Sequence, residues 1–202
     1  MSSSTIQSVC VYCGSSPGND PAYLEAGKIL GRSLGEAGLR LVYGGGTKGI
    51  MGAVAQGTME AGGKVTGIIP RFLMNKEATE KALGQLDELV VTEDMHERKH
   101  RMFEESDAFV TLPGGIGTLE EVIEIMTWAQ LGQHTKPIVL ANIKDFWNPL
   151  STLLDHMRDA GFIHTAHRVR PLVIDTPEAI VPAILASAGE PGEGDARVIE
   201  RL

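Results

Sequence analysis

The sequence predicts an α/β fold: a Rossmann-like, doubly wound parallel sheet with helices on both faces. Three observations predict it. Short apolar runs of strand length alternate with longer amphipathic runs of helix length along most of the 202 residues. Strand–helix–strand repetition implies parallel pairing through crossover helices. Glycine-rich or small polar clusters follow three of the apolar runs, where a parallel sheet turns from strand into helix and where its ligands bind.

Each element has its own justification. Residues 9–13 (Val9-Cys10-Val11-Tyr12-Cys13) form an apolar run expected to be the first strand. Residues 23–37 carry Leu24, Leu30 and Leu34 at helical spacing. A second strand is expected over 39–43. A second helix over 50–61 meets its stop signal in Gly62-Gly63. A third strand over 65–69 is closed by Pro70, and residues 71–85 are polar and irregular. Then come a short strand over 89–91, a helix over 95–105 and a strand over 108–112. A tight loop over 114–117 leads into a helix over 118–131. Strand 137–141, helix 149–160, strand 172–174 and helix 177–187 complete the pattern. Residues 1–188 read as a single Rossmann-like domain and 189–202, rich in Gly, Pro and charge, as a flexible tail.

Composition limits the partners. The 43% hydrophobic and 22% charged residues are ordinary for a soluble globular chain. A net charge of -8 argues against a nucleic-acid or anionic-membrane surface, which needs a broad positive field. A small phosphorylated ligand needs only a local cluster of donors. No run approaches the ~20 apolar residues of a membrane span, and no basic-then-apolar leader opens the chain. A cytoplasmic protein with reduced thiols is expected. Cys10 and Cys13 have redox spacing, but they lie in a strand-like run, whereas redox pairs open a helix that lowers the thiol pKa.

The three small-residue loops are Gly14-Ser15-Ser16-Pro17-Gly18, Gly44-Gly45-Gly46-Thr47-Lys48-Gly49 and Pro113-Gly114-Gly115-Ile116-Gly117-Thr118. Glycine lets backbone approach a ligand closely, and a helix starting there aims N–H groups at an anion. Two such loops side by side would hold one phosphate. Equally, the glycines could serve only to make tight turns. Gly44, Gly46 and Gly49 match a dinucleotide fingerprint, but the next strand ends Ile69-Pro70-Arg71 without the acid that would hold a ribose. In the third loop, the Thr118 hydroxyl can cap the helix or bind phosphate. Glu121 shares its face, while Glu120 points away. Glu120, Glu121 and Glu124 are expected in the first two turns of the helix, where acid suits the dipole. Placed above a phosphate it is costly unless used, so Glu121 is the carboxylate suited to a ribose.

His96-Glu97-Arg98-Lys99-His100 spells H-E-x-x-H, the zincin string. Arg98, Lys99 and Arg101 oppose a dication, and bases so concentrated in an acidic chain suit a phosphate or carboxylate. Alternatively the segment is a solvated helix face.

Pro113-Gly114-Gly115-Ile116-Gly117-Thr118-Leu119-Glu120-Glu121 resembles the P-G-G-x-G-T-x-x-E motif of the lonely-guy (LOG) family, and Met95-His96-Glu97-Arg98-Lys99 its M-H-x-R-K element. Cys13-Gly14-Ser15-Ser16, Tyr43-Gly44-Gly45-Gly46 and Thr127-Trp128-Ala129-Gln130-Leu131-Gly132 are also similar. The resemblance runs from Val9 to Ile174; residues 75–89 look longer than in plant members.

It implies a phosphoribohydrolase that cleaves a nucleoside 5′-monophosphate to a free cytokinin or adenine and ribose 5-phosphate, without cofactor or metal and as a homodimer. Arg98 and Glu121 would carry catalysis. Gly114, Gly115, Gly117 and Thr118 would hold the phosphate. Ser15, Gly45, Glu77, Met95, Lys99, Ile116, Leu119, Glu120 and Thr127 would complete the substrate site. The alternative is a non-catalytic nucleotide- or molybdenum-cofactor-binding module, which need not pair Arg98 with Glu121. The lysine decarboxylase label given to relatives finds no support in any lysine context of this sequence.

Overall fold

The computed structural model describes residues 6–74, 79, 83–163 and 171–187. Within them one sheet holds β1 (Ser8–Tyr12), β2 (Arg40–Tyr43), β3 (Val65–Pro70), β4 (Glu88–Thr92), β5 (Ala108–Thr111), β6 (Ile138–Ala141) and β7 (Leu172–Ile174). Their order is β4-β3-β2-β1-β5-β6-β7, and every neighbouring pair is parallel. The doubly wound expectation holds. Chain order runs outward from β1 in both directions, so the crevice between β1 and β5 is the topological switch point, where ligands of such sheets bind.

The described helices are α1 (Pro21–Glu36), α2 (Gly49–Glu60), α3 (Met95–Glu104), α4 (Ile116–Gln130), α5 (Asn148–Asp159) and α6 (Ile180–Ser187). Leu30 of α1, Val54 of α2 and Ile184 of α6 pack on the sheet face carrying Val9, Val11 and Val110. Met102 of α3, Val122 of α4 and Leu150 of α5 pack on the opposite face with Cys10, Tyr12 and Phe109. All five residues of β1 are buried, as a central strand covered on both sides requires. The face bearing α3 and α4 carries the site.

Most element boundaries differ from expectation by one or two residues, and three of the differences are instructive. α4 begins at Ile116, not 118, because Gly115 takes the extended N-cap conformation. Thr118 therefore lies inside the first turn and cannot be the cap. Pro70 ends β3 in register with Thr92, rather than terminating it one residue earlier. Residues 177–179 form a 3₁₀ turn that precedes α6.

One packing device was not read from the sequence. A Cβ on Gly31 of α1 would lie 2.2 Å from the Val54 carbonyl oxygen, and one on Gly57 of α2 would lie 2.5 Å from that of Lys28. Glycine on both helices allows this backbone contact.

Candidate functional site

The first and third loops abut at the carboxyl ends of β1 and β5. The Gly14 N–H donates to the Pro113 carbonyl at 3.1 Å. A Cβ on Gly14 would stand 3.3 Å from the Gly114 Cα, and one on Gly114 would stand 2.2 Å from Thr118 Oγ1. Thr118 is buried directly beneath the loop.

The helix N-termini at this edge are not equivalent. Asp20 caps α1 by accepting from the Ala22 N–H, and Asp94 caps α3 by accepting from Glu97. The N–H groups of Ile50 and Met51 at the start of α2 both donate to the Gly14 carbonyl, at 3.1 and 3.2 Å. A backbone oxygen thus sits where an anion would bind. α4 has no side-chain cap, and Gly115, Ile116 and Gly117 are exposed. Its dipole end is turned to solvent. The glycines of the second loop meet protein instead. A Cβ on Gly44 would fall 2.0 Å from Arg98 Nη2, one on Gly46 2.6 Å from Met51 Sδ, and one on Gly49 2.4 Å from the Ser15 carbonyl carbon.

Arg98 is 4% exposed. Its Nε donates to the Ile68 carbonyl at 3.2 Å and its Nη2 to the Gly44 carbonyl at 3.1 Å, so it spans the edges of β3 and β2. Glu121, on α4, is 7% exposed. Both charges act on the buried thiol of Cys13, the residue after β1. Burial pushes its thiol well up, the Glu121 carboxylate pushes it further, and Arg98 opposes them.

Lys99 bridges the two helices. Its ammonium donates to Glu120 Oε1 at 2.6 Å and to Glu124 Oε1 at 3.1 Å. Burial by itself would lower its pKa, but the bonds and charge of the two carboxylates outweigh it and leave the pKa raised.

The other expected residues are spread more widely. Ser15, Ile116, Leu119 and Thr127 are exposed, and Gly45 is buried against Ile69. Met95 is half-buried, its sulfur 3.8 Å from Arg98 Nη1. The Thr127 hydroxyl donates to the Ile123 carbonyl on its own helix. Glu77 lies outside the described residues, as does the expected tail.

The zinc string has a local explanation. The Glu97 N–H donates to the side chain of the N-cap Asp94 while the Glu97 carboxylate accepts from the N–H of Glu93, the residue before the cap, and His96 and His100 are exposed. Among the described residues no group of three His, Cys, Asp or Glu could hold a metal ion. Cys10 and Cys13 are free and buried in opposite sheet faces. No helix among the described residues is long and apolar enough to cross a membrane.

Sequence reasoning missed two participants. Gly14 caps α2 through a carbonyl, which side-chain types do not encode. Glu124 was signalled by the like-charged pair it makes with Glu120 at i,i+4, which needs a cation.

A family model described as "Possible lysine decarboxylase" matches residues 51–184. The chain belongs to this family. It is 44% identical over 176 residues to the cytokinin riboside 5′-monophosphate phosphoribohydrolase LOG7 of Arabidopsis thaliana, covering 87% of this chain and 79% of the relative. To LOG5 of the same plant, also named a cytokinin riboside 5′-monophosphate phosphoribohydrolase, it is 49% identical over 165 residues, 82% of this chain and 71% of the relative. A molybdenum cofactor binding protein of Rippkaea orientalis shares the fold, with a TM-score of 0.67 at 22% identity over 91% of this chain and 98% of that one.

The decarboxylase label in the family description fits Lys99 poorly. A Schiff-base lysine needs a neutral amine, and two carboxylates hold this one protonated.

Proposed function

We propose that this chain hydrolyses the N-glycosidic bond of an adenosine 5′-monophosphate, plain or N6-substituted. The products are the free base, adenine or a cytokinin, and ribose 5-phosphate. The observation that carries the reading is the pair Arg98 and Glu121: two buried charges of opposite sign on helices joined by Lys99, beside the open N-terminus of α4. A module that only binds a nucleotide has no need of that pair. The names of the relatives agree with the reading.

The chemistry follows. The 5′-phosphate lies on the α4 N-terminus, against the N–H groups that follow Gly114 and Gly115, and near Thr118. As the C1′–N9 bond lengthens, its electron pair leaves with the purine and positive charge grows on the ribose ring. Glu121 stabilises that charge and orients the water whose hydroxyl bonds to C1′. The water's proton ends on the departing base. Arg98 is a poor proton donor at neutral pH, so it serves by position and charge. Water is the only co-reactant.

The working form we infer is a homodimer through α4. Ile116 (87% exposed), Leu119, Ile123 and Leu131 form an apolar stripe along its outer side. Thr127 lies on the same side, about 16 Å along the helix from Ile116. Sedimentation of the Ile123→Glu chain should show monomer where the unaltered chain sediments as a dimer; equal masses would remove this inference. Free thiols at Cys10 and Cys13 suit a reducing compartment, the cytoplasm.

The test of the activity is product analysis with AMP and N6-isopentenyladenosine 5′-monophosphate. Base and ribose 5-phosphate should form, and Glu121→Gln should lower kcat by about 100-fold or more. Binding of either nucleotide without base release would reject hydrolysis in favour of the binding module.

A further inference from the structure

Three carboxylates, Glu120, Glu121 and Glu124, lie in the second and third turns of the helix whose N-terminus receives the phosphate in the function proposed above. Such a concentration works against that site. A phosphate near neutral pH carries between one and two negative charges, and each carboxylate on the same helix repels it, water screening the half-exposed Glu120 more than Glu124. Glu120 and Glu124 also repel each other across one helical turn. The arrangement is tolerable only with a counter-charge, and one is present. Lys99 reaches across from α3, its side chain 10% exposed, and donates to both carboxylates at 2.6 and 3.1 Å. Its ammonium is directed to these two oxygens.

We propose that Lys99 is a counter-charge rather than a ligand of the phosphate. By neutralising Glu120 and Glu124 it keeps the α4 anion site from becoming net repulsive. Lys99 acts on the substrate through these two carboxylates and is in that sense a positioning residue. Glu124, which has no other role in the proposed reaction, belongs to the same device. The inference rests on the phosphate lying at the α4 N-terminus.

The two roles predict opposite results at Glu124. If Lys99 screens, removing the Glu124 charge relieves repulsion, and Glu124→Gln should bind AMP more tightly, by about threefold. If Lys99 contacts phosphate and Glu124 merely holds it in place, Glu124→Gln should weaken binding. Lys99→Met should raise the Kd for AMP by about tenfold under either role. Under screening, the double variant Lys99→Met/Glu124→Gln should recover most of that loss, because the charge removed is matched by the charge deleted. Under direct contact it should recover none.

The experiment is calorimetric titration of the full-length Glu121→Gln chain, in which turnover is suppressed, and of the three variants on that background, with AMP, and with adenosine as the probe lacking phosphate. Adenosine binding should change by less than about twofold in every variant, since screening acts on the phosphate charge. A Kd for AMP unaltered in Lys99→Met, a double variant no better than Lys99→Met, or a weakened Glu124→Gln would each overturn the proposal. Should Lys99→Met fail to fold, Glu124→Gln alone still decides. Failure of the hydrolase reading is separable: it appears as absent base release by the unaltered chain, whereas the titrations need only binding.

Discussion

The second and third glycine loops look alike in sequence and do different work. Both follow a strand, both precede a helix, and they hold four and three glycines in six residues, respectively. Around Gly115 and Gly117 there is open space, with nothing within 4 Å of an added Cβ. Around Gly44, Gly46 and Gly49 an added Cβ would meet Arg98, Met51 and Ser15. The helix after the second loop is already capped by the Gly14 carbonyl, and the helix after the third has no side-chain cap. A glycine marks a close approach, but not what approaches. In the third loop space is left for a ligand. In the second, glycine makes room for the protein's own arginine and for the loop that shapes the crevice.

The largest effect should come from the second loop. Gly44→Ala drives a methyl group into the Arg98 guanidinium, which is held by two backbone carbonyls and has little freedom to retreat. Displacement by about 1 Å should lower kcat by about 100-fold. The overpacking should cost about 2 kcal/mol of stability, read from a denaturant titration. Full activity in this variant would mean that Arg98 needs no fixed position, and the contrast between the loops would lose its meaning.

The third loop should respond in the opposite sense. Gly117 is helical, exposed and free of neighbours, so Gly117→Ala should stabilise the fold by about 0.5 kcal/mol through backbone entropy. The same methyl group obstructs the backbone face a phosphate would use, so KM for the monophosphate should rise severalfold with kcat little altered. A stabilised chain with unchanged KM would move the phosphate away from this loop.

This contrast also marks what could be read in advance. The sheet, its parallel strands and both helix layers were legible because apolar periodicity records burial locally, element by element. The face shared by Thr118 and Glu121 was legible from helical spacing. Arg98 was singled out by resemblance rather than by spacing, and the string around it pointed as readily to zinc. The capping of α2 by Gly14 was not legible, because every residue supplies the same carbonyl. Nor was the Lys99 bridge to Glu120 and Glu124, since a contact between helices some twenty residues apart leaves no periodic trace. Gly31 and Gly57 interrupted helical runs for a reason visible only once α1 and α2 were seen in contact.

The smallest effect concerns the far end of α4, remote from both loops, and serves as a reference for them. His134 accepts from the Lys136 N–H at Nδ1, 3.1 Å away, which leaves Nε2 protonated to donate to the Ile125 carbonyl at 2.8 Å. The neutral ring thus meets a partner at each nitrogen, packed edge-on against Phe103 and Phe109. Burial lowers its pKa below 6.5, the Lys136 charge lowers it further, and the Ile125 bond opposes both. The folded chain therefore takes up this proton less readily than the unfolded chain. The stability conferred by the neutral ring is complete above pH 6.5 and declines as pH falls through the folded value. A thermal melt from about pH 8 to about pH 5 should show Tm falling at the acid end, and His134→Gln should flatten that part of the curve. The ring touches neither loop, so KM for the monophosphate should be the same in His134→Gln as in the unaltered chain at neutral pH. A change in KM there would show that the glycine loops sense the whole length of α4, and that their difference is set by more than the atoms next to them.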